Sequence, residues 1–123
     1  MKNPDLSILT DEQLVARFAE IGTEQFEAEE LGQIGRFNRL YEKKLRVVAE
    51  LKRRQGDHRR ALMALYDHPN PQVRLNAAKS TLAVAPVAAR QVIQAIADPK
   101  DTAQALDAGM CLWALEEGIF KPS

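Results

Sequence analysis

The one cysteine, Cys111, and the two histidines, His58 and His68, are where thiol–imidazole or zinc chemistry would have to start. A nucleophilic cysteine works as thiolate, which a helix N-terminus or a neighbouring cation stabilises. Cys111 instead stands inside the apolar run Met110-Cys111-Leu112-Trp113-Ala114, where cysteine behaves as a small packed hydrophobe. The two histidines fall in turn or cap positions without the i,i+4 spacing of a helical metal pair, and the three residues make no zinc pattern. Gly32-x-x-Gly35 lacks the Lys-Ser/Thr that completes a phosphate loop. Glu29-Glu30 and Glu116-Glu117 are neighbours whose side chains diverge by about 100° on a helix, so neither pair converges as acid and base. The expectation is a non-enzyme, with no catalytic residue, no metal and no cofactor.

Two charged features remain. The stretch LKRRQGDHRR, residues 51–60, gathers cations at one helix–helix corner. Arg53, Arg54, His58, Arg59 and Arg60 are the candidate partner-binding residues, since such a cluster can meet phosphates or an acidic protein surface. The second feature is Arg74, near the middle of an apolar arc formed by Val73, Ala77, Ala78 and Leu82. A guanidinium buried without a partner costs several kcal/mol, so Arg74 must be paired or must reach water with its tip. Asp107, on the same side of its own helix as Ala103, Met110 and Ala114, is the expected partner, making Arg74–Asp107 a structural ion pair. Lys44 poses the same puzzle between Phe37 and Val48, and its ammonium is expected to reach an acid among residues 20–30.

These residues need helices to hold them. No β-branched alternation and no Asn-Gly or Asp-Gly turn occurs, so strand signals are missing. Thr10 with Gln13 reads as a capping box opening a helix near residue 11. Gly22 reads as a break before a second run, Phe26 to Leu31. The longest helix spans 34–55, with Gly56 as its stop and Asp57 as the next N-cap. Further helices are expected over 58–66, 71–84 behind Pro71, 86–97 behind Pro86, and 101–117, with Pro99 closing the third of these runs and Gly118 the last. The spacing gives an all-α fold of six to seven short antiparallel helices in one domain, residues 1–123.

Sliding the chain on itself by 31 residues sets Leu75 on Leu106, Ala77 on Ala108, Ala78 on Gly109 and Ala83 on Ala114, a sign of repetition. The turn with Asp67, Pro69 and Pro71, followed by Val73-Arg74-x-x-Ala77-Ala78, resembles the HEAT (armadillo-type) helical repeat. That resemblance implies a right-handed stack of helix pairs, with 67–97 the best-matched repeat and 98–117 a degenerate C-terminal one bearing Ala105 at the arginine position. The whole chain also resembles small bacterial helical-repeat proteins.

Composition bounds the rest. At 46% hydrophobic and 28% charged the chain is an ordinary globular one. The N-terminal MKNPDLSILTDEQ has no apolar run of the kind a secretory leader needs, and a lone cysteine fits a reducing compartment, so a cytoplasmic location without membrane attachment is expected. Net charge is zero, yet residues 1–35 are mostly acidic and residues 36–60 mostly basic. The expected function is a non-enzymatic protein-binding scaffold, in one form an immunity partner neutralising another bacterial protein. The alternative is nucleic-acid binding through the basic 52–60 corner, which few aromatics and the acidic block make less favourable. Apolar residues nearly all round the last helix (Leu106, Ala108, Leu112, Trp113, Leu115) leave monomer and homodimer both open.

Overall fold

A computed structural model describes residues 5–98 and 101–123. Its element order is a 3₁₀ turn (Leu6–Ile8), α1 (Asp11–Glu30), α2 (Ile34–Arg53), a 3₁₀ segment (His58–Leu65), α3 (Pro71–Ser80), α4 (Pro86–Ala97) and α5 (Ala103–Glu116). No strand occurs among the described residues, and the fold is all-α. The expected helix over 58–66 is wound as 3₁₀, and Pro99 lies outside the described residues.

Side-chain chemistry sets the helix ends. The Thr10 hydroxyl accepts the Gln13 N–H at 3.1 Å while Gln13 Oε1 accepts the Thr10 N–H at 2.8 Å, the reciprocal capping box expected at α1. Asn70 caps α3 by accepting the Gln72 N–H at 2.9 Å, and Pro71 and Pro86 occupy first-turn positions of α3 and α4. α3 ends at Ser80, short of residue 84, and just beyond it the Thr81 hydroxyl donates to the Ala77 and Ala78 carbonyls, at 2.9 and 3.2 Å. The Tyr66 hydroxyl meets Thr81 from the other side. Gly118 ends α5 with a φ of 71°, a conformation glycine adopts without strain.

The expected break at Gly22 does not occur; α1 runs unbroken from Asp11 to Glu30. Gly22 is buried there because α3 crosses against it. A Cβ on Gly22 would lie 2.8 Å from Val73 Cγ2, 3.1 Å from Val73 Cα and 3.2 Å from Asn76 Nδ2. The glycine is a contact point between helices. Gly22→Ala is expected to lower stability by about 1–2 kcal/mol, overpacking outweighing the better helix propensity of alanine. Urea denaturation checks this, and an alanine variant as stable as the parent would refute the close crossing.

α1 packs on α2 and α3, and α3 also packs on α4 and α5, which pack on each other. The core therefore has two parts. Leu14, Phe18, Ile21, Leu40, Val47, Leu51 and Leu62 form the first with Val73 and Ala77 of α3. Leu75 and Ala78 of α3 join Ala89, Ile93, Ala108 and Cys111 in the second. Tyr66 packs against both.

A run of buried amides crosses from helix to helix. Gln104 Nε2 donates to Gln72 Oε1 at 3.2 Å, Gln72 Nε2 to Asn76 Oδ1 at 2.9 Å, and Asn76 Nδ2 to Gln25 Oε1 at 2.7 Å. All four residues are buried. The run ends at Gln25 Nε2, which meets no acceptor among the described residues. It fixes α5 on α3 and α3 on α1, because a slip by one residue would strand several buried polar groups.

Candidate functional site

The basic corner lies where α2 ends and the 3₁₀ segment begins, and it holds the molecule together. Arg54 donates to Glu50 at 2.9 Å, to Asp11 at 2.8 Å, and to the carbonyls of Leu6 and Leu9 at 3.2 and 2.6 Å. It thereby ties the N-terminal turn to α2. His58 places Nδ1 2.9 Å from Asp11 Oδ2 and Nε2 2.9 Å from the Gln55 carbonyl. Arg59 is buried, with Nη2 2.7 Å from Asp57 and Nη1 3.3 Å from the Ser123 carbonyl. Lys52 donates to the same Ser123 oxygen, so residues 119–123 run back to this corner.

The carboxylates respond to these cations. Hydrogen bonds from Arg53 and Arg54 hold the Glu50 carboxyl below the usual range, and those from Arg59 do the same for Asp57. Of the five residues expected to bind a partner, Arg54, His58 and Arg59 are engaged internally. Arg53, although paired with Glu50 at 2.6 Å, is well exposed, and Arg60 is exposed. Glu50 and Asp57 lie beside these cations in the sequence, whereas Asp11, which meets both Arg54 and His58, is more than forty residues away in the chain.

The Arg74–Asp107 ion pair is not formed. Arg74 Nη1 donates to the carbonyls of His68 and Pro69 at 2.8 and 3.1 Å. Helical side chains lean toward the helix N-terminus, so a long arginine in the first turn of α3 reaches back to the turn that precedes it. The carbonyls there lie outside the helix and have no intrahelical donor. His68 Nδ1 accepts the Asn70 N–H at 3.0 Å and stiffens the same turn. Asp107 pairs instead with Lys79 at 3.0 Å, the cation further along α3.

Beside Arg74 an open groove of about 460 Å³ runs between the 3₁₀ segment, α3 and α4. Met63, Tyr66, Val92 and Ile96 give it apolar walls, and Asp67 and Arg74 add one charge of each sign. These wall residues were not singled out from sequence, although the i,i+4 pair Val92/Ile96 is a signal that could have marked them.

Lys44 is a buried cation with a displaced titration. It is 8% exposed, and its Nζ lies 4.5 Å from the centroid of the Tyr41 ring. The expected acid from residues 20–30 does not reach it; the acids of that stretch that form ion pairs, Glu24 and Glu27, go to Arg36 at 3.7 and 3.2 Å. Burial, helped by the Lys79 charge and opposed by Asp107, lowers the Lys44 ammonium to about 8. The ring face offers the cation some attraction, which does not offset its lost hydration.

Cys111 packs in the second core cluster, which contains no histidine, and burial raises its thiol further from thiolate. No group of three or more His, Cys, Asp or Glu residues is arranged to hold a metal among the described residues. No described helix is long and apolar enough to cross a membrane.

Comparison with known proteins gives a family and a close structural likeness. A family model described as a domain of unknown function (DUF2019) matches residues 12–116. The crystal structure of the protein RPA1889 from Rhodopseudomonas palustris CGA009 is similar over 98% of this chain and 100% of that one, with 51% identity and a TM-score of 0.94. No curated protein matches the chain.

Proposed function

The chain belongs to the DUF2019 family, and we propose that this member is a non-enzymatic protein-binding scaffold built as a HEAT-like right-handed stack. The observation that carries this reading is the groove between the 3₁₀ segment, α3 and α4. Its walls are apolar, and its volume of about 460 Å³ holds one or two large side chains. An exposed apolar groove with a charge of each sign at hand suits a protein surface that offers an aliphatic or aromatic anchor. The chemistry of the other groups favours binding over turnover: the thiol is held protonated, and Arg74 is committed to backbone carbonyls.

The alternative of nucleic-acid binding through residues 52–60 is less favoured, because Arg54 and Arg59 already meet carboxylates. A neutralising role toward another bacterial protein is one form the scaffold reading can take. Affinity capture with the parent protein and with Gln91→Arg and Ala95→Arg, both at exposed groove positions, tests it. The expected result is a stoichiometric protein partner whose binding falls at least ~10-fold in both variants. Retention indifferent to both substitutions, or abolished by nuclease, would refute it.

A further inference from the structure

The outward face of α5 is uncovered, and the corresponding face of α3 is not. At the 31-residue offset, Leu75, Ala78 and Leu82 correspond to Leu106, Gly109 and Trp113. Leu75 and Leu82 are 0% and 3% exposed, enclosed by α4 and α5. Leu106 and Trp113 are 59% and 52% exposed, with Met110 between them at 66%. The three recur at i, i+4 and i+7, which makes one stripe along the helix. Gly109 adjoins the stripe, and nothing stands within 4 Å of the place its Cβ would occupy. An outward glycine in mid-helix weakens the helix relative to alanine, and nothing inside this chain uses the space it leaves.

We infer that a second copy of this chain covers the stripe, with α5 lying antiparallel on α5 about a two-fold axis between Gly109 and Met110. Two features select this occupant. The first is shape: reversal about that axis sets Leu106 opposite Trp113 and brings the open space at Gly109 opposite Met110, which is 66% exposed, in an isologous contact. Each missing Cβ then admits the other copy's Met110.

The second feature is charge. The first turn of α5 has no acid and its last turn no base; Asp101 lies outside the Thr102 cap, while Glu116 and Glu117 sit at the C-terminal end. In a single copy those two acids oppose the helix dipole. Reversed pairing moves each acidic end beside the other copy's N-terminal turn. The surface is separate from the groove, and the inference does not depend on the groove's role. Three partly exposed side chains fall short of the ~800 Å² per partner of a standard interface, so the dimer is expected to be weak, in the micromolar range.

Sedimentation velocity over a series from low micromolar to near-millimolar concentration tests it. The parent protein is expected to move from monomer to dimer and no further. Met110→Arg is expected to stay monomeric with an unchanged circular dichroism melt. Gly109→Ala separates the explanations: its thermal midpoint should rise while its dimer dissociation constant rises several-fold, because the added Cβ helps the helix and obstructs the crossing. Mixing Leu106→Cys with Trp113→Cys under oxidation should give a cross-linked heterodimer in preference to either homodimer. A parent that stays monomeric throughout, a dimer that survives Met110→Arg, or growth beyond two copies would overturn the inference.

Discussion

Lys44→Met is expected to stabilise the protein by roughly 3 kcal/mol near neutral pH, an unusual sign for a substitution in a core. The ammonium is moved from an ordinary lysine value of 10.5 to about 8 in the folded chain. A lowered value means that the folded state prefers the neutral amine. Below pH 8 both states carry the proton, and the folded one bears the whole penalty, about 1.4 kcal/mol for each unit of the difference. Between 8 and 10.5 the unfolded chain holds one more proton, so the Lys44 contribution makes stability rise with pH. Above that window no penalty is left. The advantage of methionine should therefore be full at neutral pH and fade across the same window. Urea denaturation of both proteins from neutral to alkaline pH isolates the difference, since all other titrations are shared. A methionine variant less stable at neutral pH, or a difference that ignores pH, would mean that Lys44 is better solvated or better paired than its surroundings indicate.

Asn76→Ala should be costly, at about 3 kcal/mol or more. Asn76 sits inside the run of amides, accepting from Gln72 and donating to Gln25. Its loss strands a donor on one side and an acceptor on the other, each worth about 1–3 kcal/mol when buried. Gln25→Met should be far milder. It leaves Asn76 Nδ2 without an acceptor but removes Gln25 Nε2, which has none already, so two effects of similar size oppose each other. Thermal unfolding of the two variants side by side gives the comparison. Equal losses at both positions would show that the amides act independently, with no directional chain.

Local signals in the sequence were read well because local chemistry decides them. The Thr10–Gln13 box, Pro71 and Pro86 at helix starts and Gly118 at a helix stop each act within a few residues, and the all-helical class follows from them. Gly22 was misread because a glycine that permits a helix crossing and one that ends a helix look alike until the crossing helix is placed. Arg74 was misread for the opposite reason. Its apolar arc raised the right question, but a side chain leaning back along its own helix finds carbonyls before it finds a carboxylate on another. The basic corner was visible as composition, while its engagement by Asp11 depended on a fold that brings the chain's beginning against the end of α2. Gln25, Gln72, Asn76 and Gln104 carried no distinguishing local pattern.

The division of the core has a consequence for how such chains can change length. The two clusters meet along α3 and at Tyr66, and α4 and α5 form a hairpin that rests on α3 with its own interior. Duplicating that hairpin would present each new copy with a surface like the one it came from, without disturbing the packing around Phe18. Lengthening by a further helical hairpin laid on the outer face is therefore physically cheap for this architecture.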